Sequence, residues 1–274
     1  MSLIVTVLTR EGVVMASDSR TSYTKATPKV SGVVETMTIP QSDSTHKTFA
    51  CQKRFGVSTC GNANINGLSI GALVKEFSDK NYQPSWDLSK FSDALGKYIS
   101  SLPNCGRVIF HVAGFENNSN ITVPGCRRVI VNENGTYLVN GVLGPDVIWD
   151  GAVEILNRLT MSGYMVGKGN IIRVPLITIP IKNPDGTTGT KNLPDRIIIP
   201  GVAPYQPRIE IHCQDFSLQD GIDFAKFAIQ LTVDTMRFQA VPKTVGGPID
   251  ILVITSDGTS WVACKKLIMW QSLG

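Results

Sequence analysis

The segment Met1-Ser2-Leu3-Ile4-Val5-Thr6-Val7-Leu8-Thr9-Arg10-Glu11-Gly12-Val13-Val14-Met15-Ala16-Ser17-Asp18-Ser19-Arg20 sets two apolar, β-branched runs on either side of a polar Thr-Arg-Glu-Gly stretch. That pattern predicts a tight β-hairpin. With Arg10-Glu11 as the loop, Leu3 faces Asp18 and Ser2 faces Ser19, so the turn alone brings an acid beside the start of the chain. Removal of Met1, which precedes a small residue, would leave Ser2 with a free α-amine. A serine with its own amine carries nucleophile and base on one residue, because an unperturbed α-amine titrates at about 7.7–8.0.

A second hairpin is expected from His46–Cys51 and Phe55–Gly61 around the polar Gln52-Lys53-Arg54 turn. Further along, apolar spacing predicts a helix from Asn62 to about Ser78, opened by an Asn cap, and another from Trp86 to Leu102. Strands are expected at Arg107–Gly114, Arg127–Asn132 and Thr136–Val139, the last two joined by Glu133-Asn134-Gly135. Helices are expected at Val147–Met161 and Leu218–Gln239, and a final β-pair around Ser256-Asp257-Gly258. Thr21–Thr45 reads as a long loop or a strand with a flexible excursion. Gly163 to about His212 alternates Gly, Pro, Asn and Asp with short β-rich pieces, and its prolines argue against central strands.

An N-terminal hydroxyl residue, a hairpin and the run Ala16-Ser17-Asp18-Ser19-Arg20 resemble the start of a proteasome β-type subunit, an N-terminal nucleophile hydrolase. In that family an Asp follows the nucleophile by sixteen positions, as Asp18 follows Ser2. A catalytic Lys likewise precedes an oxyanion Gly by fourteen, as Lys47 precedes Gly61. Cys60-Gly61-Asn62-Ala63, Val112-Ala113-Gly114-Phe115 and Val245-Gly246-Gly247-Pro248-Ile249-Asp250 add to the likeness.

The resemblance implies an α+β, four-layer αββα sandwich of two antiparallel sheets between helical layers. It would form a single domain over 1–274 with an insertion or edge extension at about 163–212. Ser2 would be the nucleophile, Lys47 would lower the pKa of nucleophile and amine, Asp18 would orient Lys47, and the Gly61 N–H would face the oxyanion. Thr21, Thr59 and Ala63 would line the substrate pocket. The implied activity is amide hydrolysis of a peptide or protein, in a self-compartmentalising homo-oligomer forming a ring, helix or dimer. A transpeptidase or ligase using the same acyl-enzyme, and a catalytically silent assembly subunit, are the alternatives. Energy-dependent unfolding would require a separate ATPase, since this chain has no ATP-binding feature.

Several features depart from the family. Ser replaces the usual Thr. Pro242 and Val245 stand where the family has an Asp and a Ser, with Thr244 and Asp146 as the candidate replacements. The linker before Lys47 is long.

Composition narrows the remaining classes. The 274 residues are 42% apolar and 18% charged, with a net charge of +4. Lys and Arg are scattered, so no nucleic-acid partner is expected. No apolar run reaches the roughly 18–20 residues of a membrane span, and no signal-peptide layout is read at the N-terminus. Six cysteines without a CxxC pair are read as free thiols of a cytoplasmic protein. His46, His111 and His212 have no metal-ligand spacing to Cys or carboxylate, so neither metal nor cofactor is expected.

Overall fold

In the computed structural model, residues 2–28, 34–118, 121–160, 178–182, 188–192 and 211–265 are described. Strands β1 (Leu3–Leu8) and β2 (Val13–Ser17) pair antiparallel through Ile4↔Ser17 to Leu8↔Val13. This is the register that an Arg10-Glu11 loop dictates. Just beyond it, the Asp18 N–H donates to the Leu3 carbonyl at 3.2 Å. Every residue of both strands is buried, which explains their nearly continuous apolar character.

Next come β3 (Thr21–Pro28) and β4 (Val34–Ser42), which form a separate two-stranded ribbon. Of the two readings of Thr21–Thr45, the long loop is corrected and the strand is found, as a pair: Thr and Tyr supply strand-forming side chains, and Pro28 and Pro40 sit in a ribbon that belongs to no larger sheet, where proline is tolerated.

β5 (Thr48–Cys51) and β6 (Phe55–Gly61) make the expected second hairpin. Gly61 does not run directly into a helix. β7 (Asn64–Ile65) and β8 (Leu68–Ser69) intervene as a miniature hairpin, turned by Asn66 and Gly67 at φ +51° and +80°. Asn-Gly suits such a turn because both residues tolerate positive φ. Helix α1 (Ile70–Lys80) therefore starts eight residues late, capped by Ser69, whose side chain accepts from the Ala72 N–H. Helix α2 (Leu88–Ser100) is capped by Asp87.

β9 (Val108–Asn118), β10 (Ile121–Val131) and β11 (Tyr137–Leu143) follow. β12 (Asp146–Gly151) and the short helix α3 (Glu154–Thr160) replace the single helix expected over Val147–Met161. Val147-Ile148-Trp149 is β-branched and aromatic, and it pairs with the second edge of β1. Beyond these lie β13 (Thr178–Lys182), β14 (Thr188–Asn192), α4 (Leu218–Arg237), β15 (Asp250–Thr255) and β16 (Gly258–Ala263). Ser217 and Asp220 cap α4 reciprocally.

The described residues thus form an α+β protein with two five-stranded antiparallel sheets, ordered β12-β1-β2-β15-β16 and β11-β10-β9-β6-β5. Helix α4 packs on β1 and β2, and α2 packs on β9, β10 and β11. Leu8, Val13, Met15, Leu252 and Ile254 of the first sheet meet Ala113 and Cys126 of the second. On the other side of the second sheet, Phe77 and Phe91 pack edge to face at 5.3 Å and Phe91 stacks on Phe55 at 4.6 Å. Burial of each such side chain contributes about 1.5–3 kcal/mol.

The chain divides into two compact units, residues 1–155 with 212–274, and residues 156–211. In the smaller unit β13 and β14 pair from Thr178↔Asn192 to Lys182↔Thr188. Most of the 163–212 segment lies outside the described residues. His212 precedes a short 3-10 turn, Cys213–Asp215. No helix among the described residues is long and apolar enough to cross a membrane.

Candidate active site

Where β2 ends, the chain delivers Asp18, fully buried, to the point where four donors converge. Its Oδ1 accepts from Lys47 Nζ at 2.8 Å and from the Leu3 N–H at 3.0 Å, and its Oδ2 from the N–H groups of Arg20 and Gly246, both at 3.1 Å. A carboxylate has about four acceptor sites, so this one is saturated. The donors come from β1, the residue preceding β3, the residue preceding β5 and the Gly246-Gly247 turn. Asp18 therefore ties together segments more than two hundred residues apart.

Lys47 is 4% exposed and also donates to the Arg20 carbonyl at 2.5 Å. Burial pushes its amine below the ordinary lysine value, against the opposing pull of Asp18.

The peptide group that follows Ser2 is held at both its oxygen and its nitrogen. The Ala152 N–H donates to the Ser2 carbonyl at 2.8 Å, and the next N–H, that of Leu3, is the one bound by Asp18. Gly151, at φ +102°, makes room for this contact, because a Cβ there would lie 1.8 Å from the Ser2 oxygen. Gly151→Ala is expected to move the Ser2 carbonyl and to cost about 2–3 kcal/mol, read as a fall in the denaturant midpoint at constant m-value.

Gly61 ends β6 at φ +107°. Thr59, two residues earlier, donates its N–H to the Lys47 carbonyl at 2.8 Å. Strand alternation turns the Gly61 N–H toward the same edge, past the first residue of β5. Of the remaining expected pocket residues, Thr21 donates its hydroxyl to Thr45 Oγ1 at 2.6 Å. Ala63 offers its carbonyl to the Ile70 N–H at 3.0 Å. The Thr59 hydroxyl is buried and has no partner among the described residues, and the same holds for Thr244.

Thr244 is thus a buried hydroxyl two residues from the Gly246 N–H that binds Asp18. Asp146 is excluded as a substitute: it opens β12 opposite Leu8, while Gly151 at the other end faces Leu3, about 17 Å away at strand spacing.

Two polar clusters have no signature in the sequence. In the first, His111 lies between the sheets, with Nδ1 2.9 Å from Thr6 Oγ1 and Nε2 donating to Asp150 Oδ2 at 2.9 Å. Arg128 grips the same carboxylate with both Nε and Nη2 at 2.5 Å. Burial pushes Asp150 up, but the hydrogen bonds from His111 and Arg128 outweigh it and leave the carboxyl below its ordinary range. In the second, His46, Asp250 and Cys264 bring their ligand-type atoms within 4.8 Å of one another. His46 lies more than two hundred residues from the other two, which hid this grouping from spacing arguments.

No family model matches the sequence, and no curated protein matches it. Among solved structures, the chain is similar to an Anbu (Gly-1) mutant from Hyphomicrobium sp. strain MC1. The two are 12% identical with a TM-score of 0.48, over 96% of this chain and 85% of that one.

Proposed function

We propose that this protein is an N-terminal nucleophile amide hydrolase acting on peptides, with Ser2 as nucleophile once Met1 has been removed. The observation that carries this reading is the shared Asp18 oxygen, which binds the Lys47 ammonium and the N–H immediately after Ser2. One buried carboxylate thereby sets a cation against the main chain of the nucleophile. The Ser2 hydroxyl attacks the substrate carbonyl, its proton passes to the Ser2 α-amine, and the Lys47 charge favours the neutral amine that this requires. The Gly61 N–H then stabilises the tetrahedral oxyanion, the amine leaves with the proton, and water hydrolyses the ester.

In this reading the two sheets and the helices on their outer faces form one αββα domain, with the 163–212 segment as an insertion. Thr21, Thr59 and Ala63 shape the pocket, and the chain works as a homo-oligomer.

The test is the intact mass of the native-start protein before and after a hydroxyl-trapping β-lactone, with the modified residue located by fragmentation. Loss of Met1 and a single adduct on Ser2 is expected. Retained Met1, or a free Ser2 that never reacts, would replace this reading with that of a catalytically silent assembly subunit.

A further inference from the structure

We propose that His46, Asp250 and Cys264 form a binding site for a zinc-class divalent cation. His46 lies just before β5, Asp250 opens β15 and Cys264 directly follows β16, so three backbone segments converge on one point. His46 Nδ1 stands 3.3 Å from Asp250 Oδ2, and the nitrogen, oxygen and sulfur ligand atoms all fall within 4.8 Å. Tetrahedral zinc with bonds of about 2.0–2.3 Å needs its ligands about 3.5 Å apart. Closing the cluster by about 1 Å at the exposed Cys264 thiol meets that requirement.

The second observation is the treatment of Asp250. This carboxylate is fully buried, and its two oxygens are divided between two tasks. Oδ1 accepts the Lys265 N–H at 2.9 Å, which fixes the adjoining Cys264 against it, and Oδ2 holds the Lys265 ammonium. The Lys265 ammonium thus occupies the cation position. Zinc displaces it, Oδ2 and His46 Nδ1 become ligands, and the Cys264 S–H bond is replaced by S–Zn while the proton leaves to solvent.

The donor set is mixed and soft enough to select zinc over magnesium or calcium. Three protein ligands leave a fourth position for water. Competing thiols are disfavoured, because burial pushes Cys51 and Cys60 up to about 12 and the Cys105, Cys126 and Cys213 thiols are also buried. The site adjoins the Asp18–Lys47 pair: His46 precedes Lys47, and Asp250 pairs with Ser17, the residue before Asp18.

The full-length protein, freed of metal, would be titrated with zinc against a chromophoric chelator and with cobalt in the near-ultraviolet. One metal per chain and a thiolate-to-cobalt band are expected. Cys264→Ser should abolish the band, and both Cys264→Ser and His46→Ala, which remove ligands outright, should weaken zinc binding by more than the roughly 10–100-fold that loss of a ligand's supporting partner costs. Lys265→Met should tighten binding about tenfold by removing the competing ammonium. Both ligand positions are at least partly exposed, and unchanged circular-dichroism melts without metal would show that the two ligand variants fold, whereas Lys265→Met, which leaves the buried Asp250 charge without its ammonium, should melt lower without metal and recover as zinc binds. No binding at micromolar zinc, or an affinity indifferent to Cys264→Ser and His46→Ala, overturns the proposal.

Discussion

Lys47→Met is expected to slow β-lactone acylation at Ser2 by about 10²–10⁴-fold, the usual range for losing a group that sets proton transfer. It should also destabilise the fold by about 3 kcal/mol, since it leaves the fully buried Asp18 charge without its cation. The three remaining N–H donors to Asp18 keep the loss toward the lower end of the range for broken buried pairs. Asp18→Asn in the same chain removes the orphaned charge but turns an amide NH2 toward at least one of these N–H donors, so the double variant should regain part of the stability and none of the reactivity. Stopped-flow mass spectrometry reports the rate and urea titration the stability. A Lys47→Met protein that acylates at the wild-type rate would remove Lys47 from the mechanism.

The second large effect is expected from Asp150→Ala. Asp150 accepts from His111 and from two nitrogens of Arg128, and its two partners come from β9 and β10 of the opposite sheet. Removing the acceptor leaves the fully buried His111 ring N–H without its partner and the half-buried Arg128 guanidinium without this one, at a cost of about 3 kcal/mol. The loss should appear as a lower urea midpoint with an unchanged slope.

The pH dependence has a definite sign. The folded Asp150 carboxyl lies below its ordinary value, so its contribution is complete above about 3.9, the unfolded value. That contribution is lost as pH falls from there through the lower folded value. The wild type should therefore lose stability relative to Asp150→Ala across that acid window, and the two stability curves should converge at its lower end.

What the chain encodes locally can be read directly. A two-residue Arg10-Glu11 loop allows one antiparallel register, and that register alone puts Asp18 opposite Leu3. The same logic holds at Gln52-Lys53-Arg54 and at Ser256-Asp257-Gly258, because a turn sets the pairing of the strands it joins. Capped, periodic helices such as α4 are equally local. Where local signals competed, the reading erred. Ile65 and Leu68 fit a helical stripe, yet Asn66-Gly67 preferred the positive φ of a hairpin turn. Val147-Ile148-Trp149 fitted an apolar helix, yet the open edge of β1 recruited it as a strand.

Tertiary structure decided everything that depends on partners distant in sequence. Lys47 and Gly246 reach Asp18 only because the β-hairpins and the Gly-Gly turn stack at one end of the paired strands, whereas the Arg20 N–H, two residues on, reaches it locally. His111 and Asp150, or His46 and Cys264, carry no mutual signal in a linear chain. A turn or a cap is settled by a few neighbouring dihedral angles. A buried hydrogen-bond partner is settled by which faces of two sheets are pressed together, and that choice is made by the whole core at once.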